Sequence, residues 1–198
     1  MLQHLEWEKT ADPLQKIIPY NHKLAPLFIR NTLFSLIPEG TQHIFVVGIG
    51  SNLINGDSLG PFVGTLLRDL YPEHLTVLGN LEFPLDATTL VPTYSNLHFP
   101  DNSFVIAIDS VFGKQEYIES IVVSEGALHP GAAFEHNLPS IGDCSMMGVI
   151  LEDNLTEKSS IVYTNLHLIY TMATNIATGI SLAIRQYFSY PSDQLLLR

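Results

Sequence analysis

With 198 residues, 46% of them apolar and only 15% charged, the chain has the material for a substantial core, which excludes wholesale disorder. Nine basic residues against 20 acidic ones leave a net charge of −11, a balance that repels phosphate backbones and anionic bilayers and argues against nucleic acid or membrane as a partner. One cysteine, Cys144, excludes an internal disulfide and fits a reducing, cytoplasmic setting.

The first eight residues lack the basic-then-apolar layout of a secretory signal. With no repeat and no linker, the length suits one α/β domain over 1–198, in which residues 1–22 form an amino-terminal arm. Residues 24–36 place Leu24, Leu27, Phe28, Leu33, Phe34 and Leu36 mostly on one helical face, and Pro38-Glu39-Gly40 stops that helix. Residues 44–47 are an apolar strand. A helix is expected over 59–70, with Pro61 in its first turn. A short strand at 75–78 and a helix at 87–94 follow.

Residues 104–108 read as a third strand, ending on Asp109. Residues 117–123, rich in β-branched side chains, read as an edge strand. The stretch 125–142 is loop-like, with Pro130-Gly131 and Pro139 as breakers. A further strand fits 146–151. Residues 161–188 read as one packed helix, or two joined near Gly179. This run is interrupted by Asn165, His167, Asn175 and Arg185, and no run reaches the length of a membrane span. Alternating strands and helices predict a three-layer α/β sandwich with a mostly parallel central sheet.

The chemistry concentrates where two strands end. A Gly-rich loop, Gly48-Ile49-Gly50-Ser51-Asn52, carries the chain from the first core strand to Asp57, at the mouth of a helix. Asp109 closes the 104–108 run in the same way. Carboxylates at the carboxyl ends of parallel strands converge on the crevice where open α/β sheets bind ligands. Taken singly, Asp57 also suits a helix N-cap and Asp109 a holder of loop amides. The pairing is what suggests catalysis.

Two nucleotide motifs fail. A dinucleotide fingerprint needs glycine where Leu53 stands, and a P-loop needs Ser or Thr where Gln115 follows Gly113-Lys114. Gly56-Asp57-Ser58-Leu59-Gly60 spells a serine nucleophile pattern, but Ser58 lies a whole loop beyond the strand. Gly-Asp-Ser-Leu is also the signature of a serine esterase family, but no Asp here has a His three residues later, as that family would require. His129, His136 and Asp143 populate a polar loop and are solvated residues unless the fold brings them to the site. Cys144 reads as a small buried residue rather than a nucleophile.

Four ordered motifs, Gly-Ile-Gly-Ser-Asn through Gly-Asp-Ser-Leu-Gly-Pro, Ala-Ile-Asp-Ser, Leu-His-Pro-Gly-Ala and Leu-Pro-Ser-Ile-Gly-Asp, closely resemble the YyaC-type sporulation proteins over residues 42–185. That family is related to the spore germination protease and, more distantly, to the hydrogenase maturation endopeptidases. The resemblance implies a phosphorylase/hydrolase-like fold, a protein or peptide substrate, and catalytic roles for Asp57 and Asp109. It also implies a divalent metal such as nickel on Asp57 and Asp109, with Asp143 or His129 as candidates for the remaining ligand.

The expected chemistry is peptide hydrolysis by paired aspartates, directly or through the metal. Gly50, Ser51, Asn52, Ser58 and Ser110 line the path of the substrate, and backbone N–H groups of the glycine loop steady the oxyanion. The alternatives are a non-enzymatic regulatory or scaffold protein and a serine hydrolase at Ser58.

Overall fold

The apolar runs become neighbouring strands of one seven-stranded sheet in the computed structural model, which describes residues 3–4, 16–129, 140–153 and 158–198. In chain order the elements are β1 (Gln3–His4), β2 (Lys16–Pro19), α1 (Ala25–Leu36), β3 (His43–Gly48), α2 (Leu59–Leu67), β4 (Leu75–Leu78) and α3 (Leu90–Ser95). Then follow β5 (Ser103–Gly113), β6 (Ser120–Glu125), β7 (Cys144–Glu152) and α4 (Leu166–Tyr187). The sheet order is β2-β6-β7-β5-β3-β4, and β1 adds to β5. β4, β3, β5, β7 and β1 are parallel; β6 alone runs against its neighbours.

β5 is central, so both of its faces are buried, and its apolar run is continuous for that reason. Ile106, Ile108 and Phe112 face the helices α1, α2 and α4. Val105, Ala107 and Val111 face the opposite side, with Leu85, Leu90, Leu128 and Ile141. The period of two along a strand divides them between the two layers. The α/β class with a mixed, mostly parallel sheet flanked by helices is therefore as expected.

Local outcomes differ where tertiary contacts override pattern. α2 stops at Leu67 rather than reaching residue 70, because the chain turns through Asp69 and Tyr71, with φ of 65° and 49°. Tyr71 is fully buried, and its hydroxyl lies 2.6 Å from Ser181 Oγ on α4. The helix expected over 87–94 shortens to α3. β5 does not end on Asp109 but continues to Gly113, held by β7. Residues 115–117 form a 3-10 turn, and β6 is not an edge, since β2 pairs outside it. Residues 130–139, with His136 and both prolines, lie outside the described residues.

α4 runs unbroken through Gly179, where a Cβ would come within 2.5 Å of Ile29 on α1. Glycine there lets the two helices touch. By length and composition alone α4 is long and apolar enough to cross a membrane, contrary to what the interrupted run suggests. Its stripe from Ile169 to Ile184 is instead buried against α1 and α2. Asn165 caps it, its Oδ1 accepting from the His167 N–H at 2.9 Å.

Cys144 is fully buried at the start of β7, and burial, aided by the charges of Asp143 and Glu125, pushes its thiol up to about 12. A thiol this hard to ionise is a poor nucleophile. The native protein is expected to resist iodoacetamide near pH 8 and to react once denatured; rapid labelling of the folded chain would contradict this.

Candidate active site

The site is built at the end of β3. The Ile49 N–H continues the ladder by donating to Ile108 O at 2.8 Å, and the Gly50 N–H donates to Leu85 O at 3.0 Å. Gly50 has φ +133°, and a Cβ there would collide with the Asp57 carbonyl oxygen. Only glycine suits that backbone. The Ser51 N–H then donates to that same carbonyl at 2.9 Å and closes the loop at its neck. A 3-10 turn, Asn55–Asp57, delivers the Asp57 carboxylate beside the strand end. Asp57 does not cap α2; Ser58 occupies that position, without a side-chain cap bond.

Asp109 arrives from β5, one residue beyond the Gly48–Ile108 pair and opposite Met147 of β7. It is 0% exposed, and Asp57 is 3% exposed. Asp109 Oδ1 accepts from the Ser110 N–H at 2.7 Å. Its Oδ2 is buried with no hydrogen-bond partner among the described residues. Leaving a buried polar atom without a partner costs about 1–3 kcal/mol, which makes this oxygen a candidate contact for a ligand group.

Burial holds the Asp109 carboxyl well above the usual carboxylate range; the positive charge of the amino terminus offsets part of this, the Asp57 charge pushes up again, and the Ser110 N–H offsets a little more. Asp57 is also raised, by burial first and least by the charge of Asp86, against the charge and hydrogen bond of the amino terminus and the Ser51 N–H. The two aspartates therefore share one electrostatic pocket, and their protons leave in linked steps.

This raised pair has a consequence for folding. Unfolded aspartate titrates near 3.9. The folded chain keeps its proton to higher pH, so above that value it binds more protons than the unfolded chain, and stability falls as pH rises. Asp109→Asn, neutral at every pH, is expected to melt about 2–4 °C above wild type near pH 8, a gain of about 1 kcal/mol, and to lose that advantage below pH 4. A variant melting below wild type at pH 8 would contradict this.

The other expected site residues divide. Gly50 and Ser51 form the neck of the Asp57 loop. Asn52 is exposed, its Nδ2 donating to Leu81 O at 2.8 Å and tying this loop to the one after β4. Ser58 is buried, its Oγ donating to Asn55 O at 2.6 Å. Ser110 follows Asp109 with its Oγ buried and unpartnered among the described residues.

Asp143 and His129 are not brought to the pair. Asp143 Oδ2 accepts from the Val105 N–H at 2.9 Å, and β7 begins beside it. Val105 lies four positions before Asp109 on β5, about 13 Å along the strand. His129 is exposed and holds Ser140 Oγ at 2.8 Å, next to the Leu128–Ile141 bridge. These two residues are structural ties at the amino end of β7.

Among the described residues no group of three or more His, Cys, Asp or Glu side chains forms a metal cage. Among the described residues the donor set at the site is two carboxylates, fewer ligands than a resident nickel ion needs, and the chemistry proposed for the pair takes no step through a metal.

Sequence reasoning missed Asp86. Leu85 bridges to Ile49, placing Asp86 close enough for its charge to act on Asp57. Its own carboxyl is lowered, chiefly by the Thr88 hydroxyl and then by the Thr88 and Thr89 N–H groups. The available signal was an Asp on the loop past β4, placed as Asp57 is placed past β3. A cavity of about 530 Å³ lined by Gly79, Phe83, Leu85, Asp86 and Thr89 lies beside it. A second cavity, of about 680 Å³ around His43, Glu73 and Asp101, opens at the opposite end of the strands and has no part in the pair.

A family model described as a protein of unknown function, DUF1256, matches residues 17–179. The chain is similar to the uncharacterized protein YyaC of Bacillus subtilis (strain 168), at 34% identity over 152 residues, 76% of this chain and 74% of that protein. The span matched by the family model contains Asp57, Asp109 and most of the sheet that carries them, and the chain belongs to the DUF1256 family.

Proposed function

We propose that this chain is an endopeptidase of the germination and maturation protease type, acting through Asp57 and Asp109. One observation carries the reading. Two buried aspartates, one from the turn that follows β3 and one from β5, are linked electrostatically, and one of them, Asp109, keeps an oxygen without a hydrogen-bond partner among the described residues. Such a pair shares a proton, which supplies an acid and a base at the same place.

Asp109, held more strongly protonated, donates its proton toward the scissile carbonyl oxygen. Ionised Asp57 takes a proton from water, and the water oxygen bonds to the carbonyl carbon. The tetrahedral intermediate then breaks its C–N bond as Asp57 returns that proton to the leaving amine and ionised Asp109 takes back a proton from one hydroxyl of the intermediate, which leaves the carboxylic acid product and restores both aspartates. The exposed Leu53 (85%) and Phe83 (67%), on the two loops tied by Asn52, offer apolar contact to a polypeptide at the rim. The resemblance to sporulation proteases supports the same reaction class and a role in sporulation.

Ser58 does not suit a serine nucleophile, because its hydroxyl proton is directed to the Asn55 carbonyl. The test is a comparison of new protein amino termini in a lysate from a spore-forming bacterium treated with wild type or with the Asp57→Asn/Asp109→Asn double variant. Termini that appear only with wild type support the reading; identical sets overturn it in favour of a non-enzymatic scaffold.

A further inference from the structure

The register around Asp109 leaves a gap that only an extended chain can fill. β3 pairs with β5 as far as Gly48–Ile108 and then turns away into the glycine loop. β5 continues to Gly113, with β7 covering its other edge all the way to the Gly113–Glu152 pair. On the β3 side, the stretch from Asp109 to Gly113 is thus a strand edge inside the molecule. A buried edge must find backbone partners.

In the structure it finds them in β1, which runs parallel to β5 with Gln3 opposite Val111 and His4 opposite Phe112. The pairing is made by backbone, which any sequence able to extend can supply. We infer that this edge is the substrate-binding slot: it takes an extended segment of a polypeptide in parallel register with β5, in competition with the chain's own Gln3–His4. The inference rests on the peptidase reading for its chemistry and deepens it by naming the form of the substrate.

Three observations favour it. The occupied positions start two residues past Asp109, so a longer bound strand carries its preceding peptide bonds across the carboxyl pair. Asp57 and Asp109 are buried, so a substrate reaches them by replacing a strand rather than by entering an open cleft. Asp109 Oδ2 and Ser110 Oγ, at the head of the slot, are buried without partners among the described residues, one on each face of β5. Strand addition of this kind takes its affinity from main-chain hydrogen bonds.

The test uses the full chain and a fluorescent peptide of its residues 1–8, Met-Leu-Gln-His-Leu-Glu-Trp-Glu. Proline cannot donate to a ladder. Gln3→Pro/His4→Pro should therefore empty the slot and bind the peptide at least about tenfold more tightly than wild type, since self-occupancy lowers apparent affinity by the vacant fraction. Hydrogen exchange at Val111 and Phe112 should quicken in that variant and slow again with peptide. In wild type, a photo-crosslinker placed at the third peptide residue should attach to residues 109–113, a readout that needs no variant to fold. Equal affinities with crosslinks elsewhere would overturn the slot. Binding as described with no cleavage of any bound peptide would instead overturn the peptidase reading and leave the slot standing.

Discussion

Asp57→Asn and Asp109→Asn are each expected to lower peptide hydrolysis by about 100- to 10,000-fold, the range lost when an acid or base is removed from a reacting centre. The folded state should survive both. Asp109 Oδ1 accepts from the Ser110 N–H, and an amide oxygen can do the same. The loop that carries Asp57 is closed through its backbone carbonyl, which the substitution leaves in place. The effects should not add, because the pair acts as one unit: the double variant is expected to be no slower than the worse single variant. Circular dichroism and thermal unfolding alongside the rates separate lost chemistry from lost structure. Hydrolysis retained by both single variants would refute the acid and base roles of the two aspartates.

Gly60→Ala carries the largest expected cost to folding. Gly60 sits in the first turn of α2, where a Cβ would collide with the backbone of Ile49, just past the end of β3. The obstacle is main chain, which cannot step aside as a flexible side chain does. Relief would lift α2 off the strand and open the joint that sets Asp57 in place. A destabilisation of about 3 kcal/mol is expected, at the upper end of overpacking costs, or a fall of about 6–12 °C in melting temperature. Arg185→Ala, on the last turn of α4 and partly exposed, is a suitable control, expected to shift melting by much less. An unchanged melting temperature for Gly60→Ala would contradict the close contact between α2 and β3.

The residues that made the fold legible are those whose burial is two-sided. Residues 44–47 and 104–108 are unbroken apolar runs because β3 and β5 are covered on both faces. The glycines at 48, 50 and 60 were legible as a tight loop, and Asp57 with it. What local pattern could not show was length set by distant partners. Asp109 and Gly113 are poor strand formers, yet pairing with Met147 and Glu152 of β7 keeps them in the sheet. β2 is four residues long and ends on proline, too short to announce itself, so β6 read as an edge. Asp143 and His129 drew attention because titratable residues crowd that loop; Asp143 in fact accepts from a strand amide. Asp86, which does influence the pair, sits on a loop whose proximity to Gly50 depends on the Ile49–Leu85 bridge, a contact between segments far apart in sequence.

The most direct measurement follows the carboxyl carbons of Asp57 and Asp109 by NMR across pH in wild type and in Asp57→Asn. Linked titration, with Asp109 far above 3.9 in wild type and lower once the Asp57 charge is gone, is the result expected of two acids in one pocket. Independent titration of each near 3.9, with no response of Asp109 to the substitution, would show that the pair does not exist.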